Sequence, residues 1–147
     1  MKRLAALMAL ALAPGSASAD DADKQCASWV KEILSGSADA CSDLCPQAKQ
    51  FDHYDYLAGL KAAFASEQGL ENFLAYLDRS SIIGAGAEPH ACSVLALLLH
   101  WGDQRFSASL AKQSDMARKQ AIGLLDYTGI DSFQSKFPKT YRLAPHE

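Results

Sequence analysis

Apolar positions recur every three to four residues in one segment after another, the signature of amphipathic helices. The first clear stripe is Cys26, Trp29, Val30, Ile33 and Leu34, and Gly36 follows as a stop. This predicts a helix over 22–35. Residues 37–50 are less regular. Either Ser37 or Asp39 caps a short helix carrying Cys41, Leu44 and Cys45, or Pro46 opens the next helix as a first-turn proline. A second stripe, Phe51, Tyr54, Leu57, Leu60 and Phe64, predicts a helix ending near Ser66, with Asp52 and Asp55 off its apolar face. Leu70, Phe73, Leu74 and Leu77 predict another over 69–78.

The segment 89–127 holds the most apolar stretch. Val94, Leu95, Leu98 and Leu99 form one face, and Ala91, Ala96 and Leu97 add apolar surface on others, so this helix is expected at the centre. Gly102 is expected to stop it, and Asp103 to cap a helix that buries Phe106 and Leu110. Ser114 caps the next, lined by Ala117, Ala121, Leu124 and Leu125, and Gly129 ends it. Asp131-Ser132-Phe133-Gln134 is a capping-box pattern, predicting a short helix with Phe133 and Phe137. Pro138 is expected to end it and leave an extended tail, in which Tyr141 and Leu143 pack back on the domain. No stretch alternates with period two, and no repeat recurs at a fixed period. The fold class is therefore all-α: a compact orthogonal helical bundle of about six to eight short helices, stapled by disulfides.

The N-terminus changes the picture of where this domain works. Lys2 and Arg3 precede a short apolar run over 4–12, Pro14-Gly15-Ser16 breaks it, and Ala17-Ser18-Ala19 is a cleavage pattern. Residues 1–19 read as a cleaved export signal, too short to span a bilayer. That leaves residues 20–147 as a single helical domain of the periplasm, with secretion to the medium as the alternative. No cysteine follows Ala19, so the usual lipid-attachment site is absent. The formal net charge is −3, and loss of Lys2 and Arg3 makes the remainder more acidic. An acidic domain lacks the basic face that nucleic acid or an anionic membrane surface demands. No stable membrane insertion is expected.

Four cysteines, Cys26, Cys41, Cys45 and Cys92, fit two disulfides in an exported protein. A helical hairpin turning near Gly36 sets Cys26 opposite Cys45 and leaves Cys41 for Cys92. That pairing is preferred, with Cys26–Cys41 and Cys45–Cys92 close behind. Bridging Cys41 to Cys45 within one helical turn is geometrically poor.

The candidate chemistry is sparse. His90-x-Cys92, Cys41-x₃-Cys45, His53 and His100 do not match the close ligand pairs of a zinc site, and bridged thiols are poor ligands; neither metal nor cofactor is expected. Four paired cysteines leave no thiol nucleophile. Asp52-His53-Tyr54-Asp55 reads as a solvated first helical turn rather than an acid/base pair. His100-Trp101-Gly102-Asp103 reads as an aromatic closing the core before a capped helix, although Leu95, Leu99, His100 and Trp101 together could line an inter-helix pocket. Gly84-Ala85-Gly86 lacks the Lys-Ser/Thr ending of a phosphate loop. Ile82 and Ile83 in this glycine-rich loop either tuck into the core, the favoured reading, or are displayed to a partner. If displayed, Ile82, Ile83, Gly84, Gly86 and Glu88 form a loop able to enter a partner's cleft.

Three functions remain. The first is a protein-binding module, an inhibitor or immunity protein against a periplasmic or cell-wall-acting enzyme. The second is a carrier of a small molecule or lipid in an inter-helix apolar pocket. The third, and weakest, is a hydrolase using Asp52, His53 or His100. The expectation leans away from an enzyme and toward a protein partner.

Overall fold

The computed structural model describes residues 19–37 and 39–146. The export signal expected over 1–19 lies outside the described residues apart from Ala19, which opens the first helix. Among the described residues there are eight α-helices, all short but one: α1 (Ala19–Leu34), α2 (Leu44–Asp52), α3 (Tyr56–Ala65), α4 (Glu67–Tyr76), α5 (Ala87–Ala111), α6 (Asp115–Tyr127), α7 (Phe133–Lys136) and α8 (Pro138–Tyr141). Two 3₁₀ turns, Leu77–Arg79 and Gly84–Gly86, sit at either end of the connection from α4 to α5. The protein is an all-α helical bundle held by two disulfides.

The bundle is built around α5, which packs on α1, α2, α3, α4, α6 and α8. Contact on so many sides explains why Val94, Leu95, Leu97 and Leu98 are all fully buried. A helix apolar on every face is stable only where other helices cover it. Gly102 does not end α5. It kinks it, with φ 74° and ψ 164°, and the chain resumes helical geometry to bury Phe106 and Leu110. Only glycine holds that backbone conformation without strain.

The caps show where local sequence decides and where packing overrides it. Ser66 accepts the Gly69 amide at the start of α4, Ser114 accepts that of Ala117 at the start of α6, and Asp55 accepts that of Ala58 at the start of α3. The stripe through Phe51 and Tyr54 is not one helix. α2 ends at Asp52, His53 adopts a left-handed conformation (φ 51°), and α3 starts afresh at Tyr56. Asp103 does not cap its own segment. Its carboxylate accepts the Lys139 and Thr140 amides at 2.9 and 2.8 Å, capping α8 from 36 residues away and docking the C-terminal chain. Pro138 accordingly opens a helix instead of ending one, at the first position where its missing N–H costs nothing. The Asp131–Gln134 capping box does not form. Ser132, left-handed at φ 56°, precedes α7 without a side-chain cap. Tyr141 and Leu143 pack against the core.

The expected disulfide pairing is corrected. Cys26 is bridged to Cys92, and Cys41 to Cys45. The inference of Cys26–Cys45 with Cys41–Cys92 rested on a helical hairpin through Gly36, but residues 39–43 form turns instead. α1 lies along α5, which brings the Cys26 and Cys92 Cα atoms to 4.7 Å. Cys41 sits in the turns before α2, not one turn back on the same helix. The chain can therefore close on Cys45 with Cα atoms 5.3 Å apart, within the usual disulfide range.

Candidate functional site

The most elaborate polar structure lies where the end of α2, the end of α4 and the start of α5 meet. Leu44, Ala48 and Asp52 recur every four residues and share the buried face of α2. Asp52 therefore points inward, at 7% exposure, and is not part of a solvated first turn. It accepts the Tyr76 hydroxyl at 2.6 Å, the Ser81 hydroxyl at 2.5 Å and the Ser81 amide at 3.2 Å. Arg79 donates to the Asp52 carbonyl and lies over the rings of Tyr54 and Tyr76, which stack on each other at 3.7 Å. Burial alone would raise the Asp52 pKa. The hydrogen bonds from Ser81 and Tyr76, with the Arg79 charge, outweigh it and hold the carboxyl below its ordinary value.

The network runs on to His90, which is 2% exposed. Its Nδ1 lies 2.7 Å from the Tyr56 hydroxyl and its Nε2 lies 3.2 Å from the Ser80 hydroxyl, which in turn donates to Tyr76. One proton arrangement satisfies every bond: Tyr56 O–H to Nδ1, Nε2–H to Ser80, Ser80 O–H to Tyr76, and Tyr76 O–H to the Asp52 carboxylate. In that arrangement His90 donates to Ser80 and cannot take its proton. Desolvation pushes the His90 pKa down to about 4, against a smaller upward pull from Asp52, so the ring is neutral near pH 7. Burial likewise raises the hydroxyls, Tyr54 to about 12, Tyr76 further, and Tyr56 well above its ordinary value. These are groups fixed in one protonation state at neutral pH. That suits a structural tie better than a proton-transfer site.

What the network ties down is the 79–86 loop. Beyond Ser81, Ile82 is half-buried and packs against the core, whereas Ile83 is 71% exposed. The two isoleucines thus divide between the two readings, and the expectation that both tuck inward fails for Ile83. Gln47 grips the Ile83 backbone on both sides: its Oε1 accepts the Ile83 amide at 2.7 Å and its Nε2 donates to the Ile83 carbonyl at 3.2 Å. Phe51, one turn beyond Gln47 on the outer face of α2, is 63% exposed. The sequence stripe puts Phe51 on a core face; because α2 buries the face of Leu44, Ala48 and Asp52, Phe51 points outward instead. The buried Gly86 and exposed Gly84 form the turn that leads into α5. Glu88 is exposed at the start of α5. It lines a separate hollow with Cys26, Cys92 and Tyr127.

The remaining candidates do not converge. His53 is exposed at the end of α2, and His100 is exposed on α5 against the rings of Phe64 and Trp101. Trp101 donates its indole N–H to the Ala63 carbonyl at 2.8 Å, so it closes the contact between α3 and α5. Leu95 is fully buried in the core, and Leu99 is partly exposed. An open groove of about 870 Å³ lies elsewhere, between α1, α2 and the start of α3, walled by Ile33, Cys41, Cys45, Tyr54 and Leu57. Among the described residues, no group of three or more His, Cys, Asp or Glu side chains is arranged to hold a metal ion, and no helix is long and apolar enough to cross a membrane.

Sequence reasoning missed Tyr56, Tyr76, Arg79, Ser80 and Ser81 as partners of Asp52 and His90. The one available signal was local: a tyrosine, an arginine and two serines just before a loop that contains two isoleucines. No family model, curated protein or solved structure matches this chain.

Proposed function

We propose that this protein is an exported protein-binding module that inserts the 79–86 loop, led by Ile83, into a cleft of a partner protein. The partner class is a periplasmic or cell-wall-acting enzyme, which the bound loop blocks. The observation that carries this reading is a large apolar side chain, 71% exposed, on a backbone held at both its N–H and its C=O by Gln47. Burying one such side chain at an interface contributes about 2 kcal/mol. A loop already fixed by Gln47, Asp52 and Arg79 loses little further entropy on docking. Phe51 extends the apolar contact along α2.

The test is affinity capture from periplasmic extract with the oxidised protein and with its Ile83→Glu variant, alongside native mass spectrometry of the purified protein. The expected result is a protein retained by the first bait and depleted about tenfold or more with the second, as for an interface hot spot. Equal retention by both baits, or a co-purifying lipid with no protein partner, would overturn the proposal; the lipid would favour a carrier.

A further inference from the structure

The Cys41–Cys45 bridge plays no part in the loop reading, and its surroundings set it apart from the other disulfide. Cys26 and Cys92 are buried between α1 and α5, beside a smaller hollow of about 260 Å³. Cys41 and Cys45 are half-buried, and both line the open groove. Their sequence separation is 4 against 66, so the shorter bridge restrains the unfolded chain far less. The bridge faces the open groove of about 870 Å³, in the size range of ligand sites.

The groove is also lined by charges of both signs, Lys49 and Asp55. Cys45 and Lys49 lie one turn apart on α2, His53 follows at its left-handed C-cap, and all three line the groove. Cys45 lies in the first turn of α2, where the helix N–H groups favour a thiolate, and Lys49 adds positive charge one turn on. Asp43, just ahead of the helix, and Asp55, which lines the groove, oppose them. The walls contributed by Ile33, Pro46, Tyr54 and Leu57 are apolar and suit the side chains flanking a peptide cysteine.

We infer that this groove takes an extended peptide segment bearing two thiols and exchanges its disulfide with it. The peptide's first thiolate attacks Cys41 Sγ, forming a mixed disulfide. The Cys41–Cys45 bond breaks, and Cys45 leaves as a thiolate at the helix N-terminus. The peptide's second thiolate then attacks its neighbour's sulfur and expels the Cys41 thiolate. The peptide dithiol loses two electrons and two protons and becomes a disulfide. Cys41 and Cys45 gain both and become thiols, while Cys26–Cys92 stays closed.

The test uses the oxidised protein in native buffer and two reduced dithiol peptides that differ only in flanking residues, leucines in one and serines in the other. Acid quenching, alkylation and peptide mass mapping read each bridge separately. The expected result is labelling at Cys41 and Cys45 alone, with the leucine-flanked peptide reacting about tenfold faster, equivalent to about 1.4 kcal/mol of groove binding. A Cys41–Cys45 bridge that opens only in denaturant, both bridges opening together, or equal rates for the two peptides would overturn the inference.

Discussion

Replacing Cys26 and Cys92 together by alanine should destabilise the protein far more than replacing Cys41 and Cys45 together. The two bridges close loops of very different length, with separations of 66 and 4 residues. Treated as a restraint on the unfolded chain, the longer bridge contributes about 4 kcal/mol and the shorter about 2 kcal/mol. The structure enlarges the gap. Cys26 anchors α1 to α5, and without it α1 is held by Val30, Ile33 and half-buried Trp29, whose indole donates to the Ala40 carbonyl at 3.3 Å. Urea unfolding of the two double variants gives the two free energies, and amide exchange shows whether α1 opens first in the Cys26/Cys92 variant. Equal losses, or a larger loss for Cys41/Cys45, would refute the reasoning. So would a non-reducing peptide map in which Cys26 is linked to Cys45.

Other consequences follow from the buried network and the helix contacts. The His90 pKa is lowered to about 4 from 6.5, so the unfolded chain takes up a proton that the folded one refuses. Stability from this group is whole above about pH 6.5 and falls by about 3 kcal/mol as pH drops to 4. Urea titrations across that range should show the slope in the wild type and lose it in His90→Gln. Asp52, whose pKa is lowered from 3.8, contributes in a different window: its stabilisation is present above pH 3.8 and lost as pH falls below it. Asp52→Ala strands the Tyr76 and Ser81 donors and should cost about 3 kcal/mol, with amide exchange at Ser81 accelerating before that of the core. Gly69→Ala would raise helix propensity yet should destabilise by about 3 kcal/mol, because the added Cβ overlaps the Ala62 carbonyl of α3; a gain in melting temperature would contradict that contact.

The parts of this structure that were legible in the sequence depend on neighbours within one or two helical turns. Val30 and Ile33, Leu70 and Phe73, and Ala121 and Leu125 announce buried helix faces by spacing alone. Ser114 announces a cap that forms as expected, since its partner is three residues away. The features that were not legible depend on which helices lie together. Asp52 reads as a solvated carboxylate because its partners, Tyr76 and Ser81, are 24 and 29 residues distant. Asp103 reads as the cap of the segment that follows it, whereas it caps α8. The cysteine pairing turned on α1 lying beside α5, which no periodicity encodes. Ile82 and Ile83 are chemically identical, and which one faces solvent is set by contacts distant in the chain, the grip of Gln47, 36 residues away, among them.

The central claim is that the 79–86 loop, and Ile83 in particular, meets a partner protein. The most direct measurement is site-specific photo-crosslinking in cells exporting the protein, with the crosslinker at position 83 or, as a control, at Tyr127, which is similarly exposed. One discrete protein adduct is expected at position 83, absent at position 127 and lost when Gln47→Ala frees the loop backbone. No protein adduct at position 83, or the same adducts at both positions, would contradict the claim.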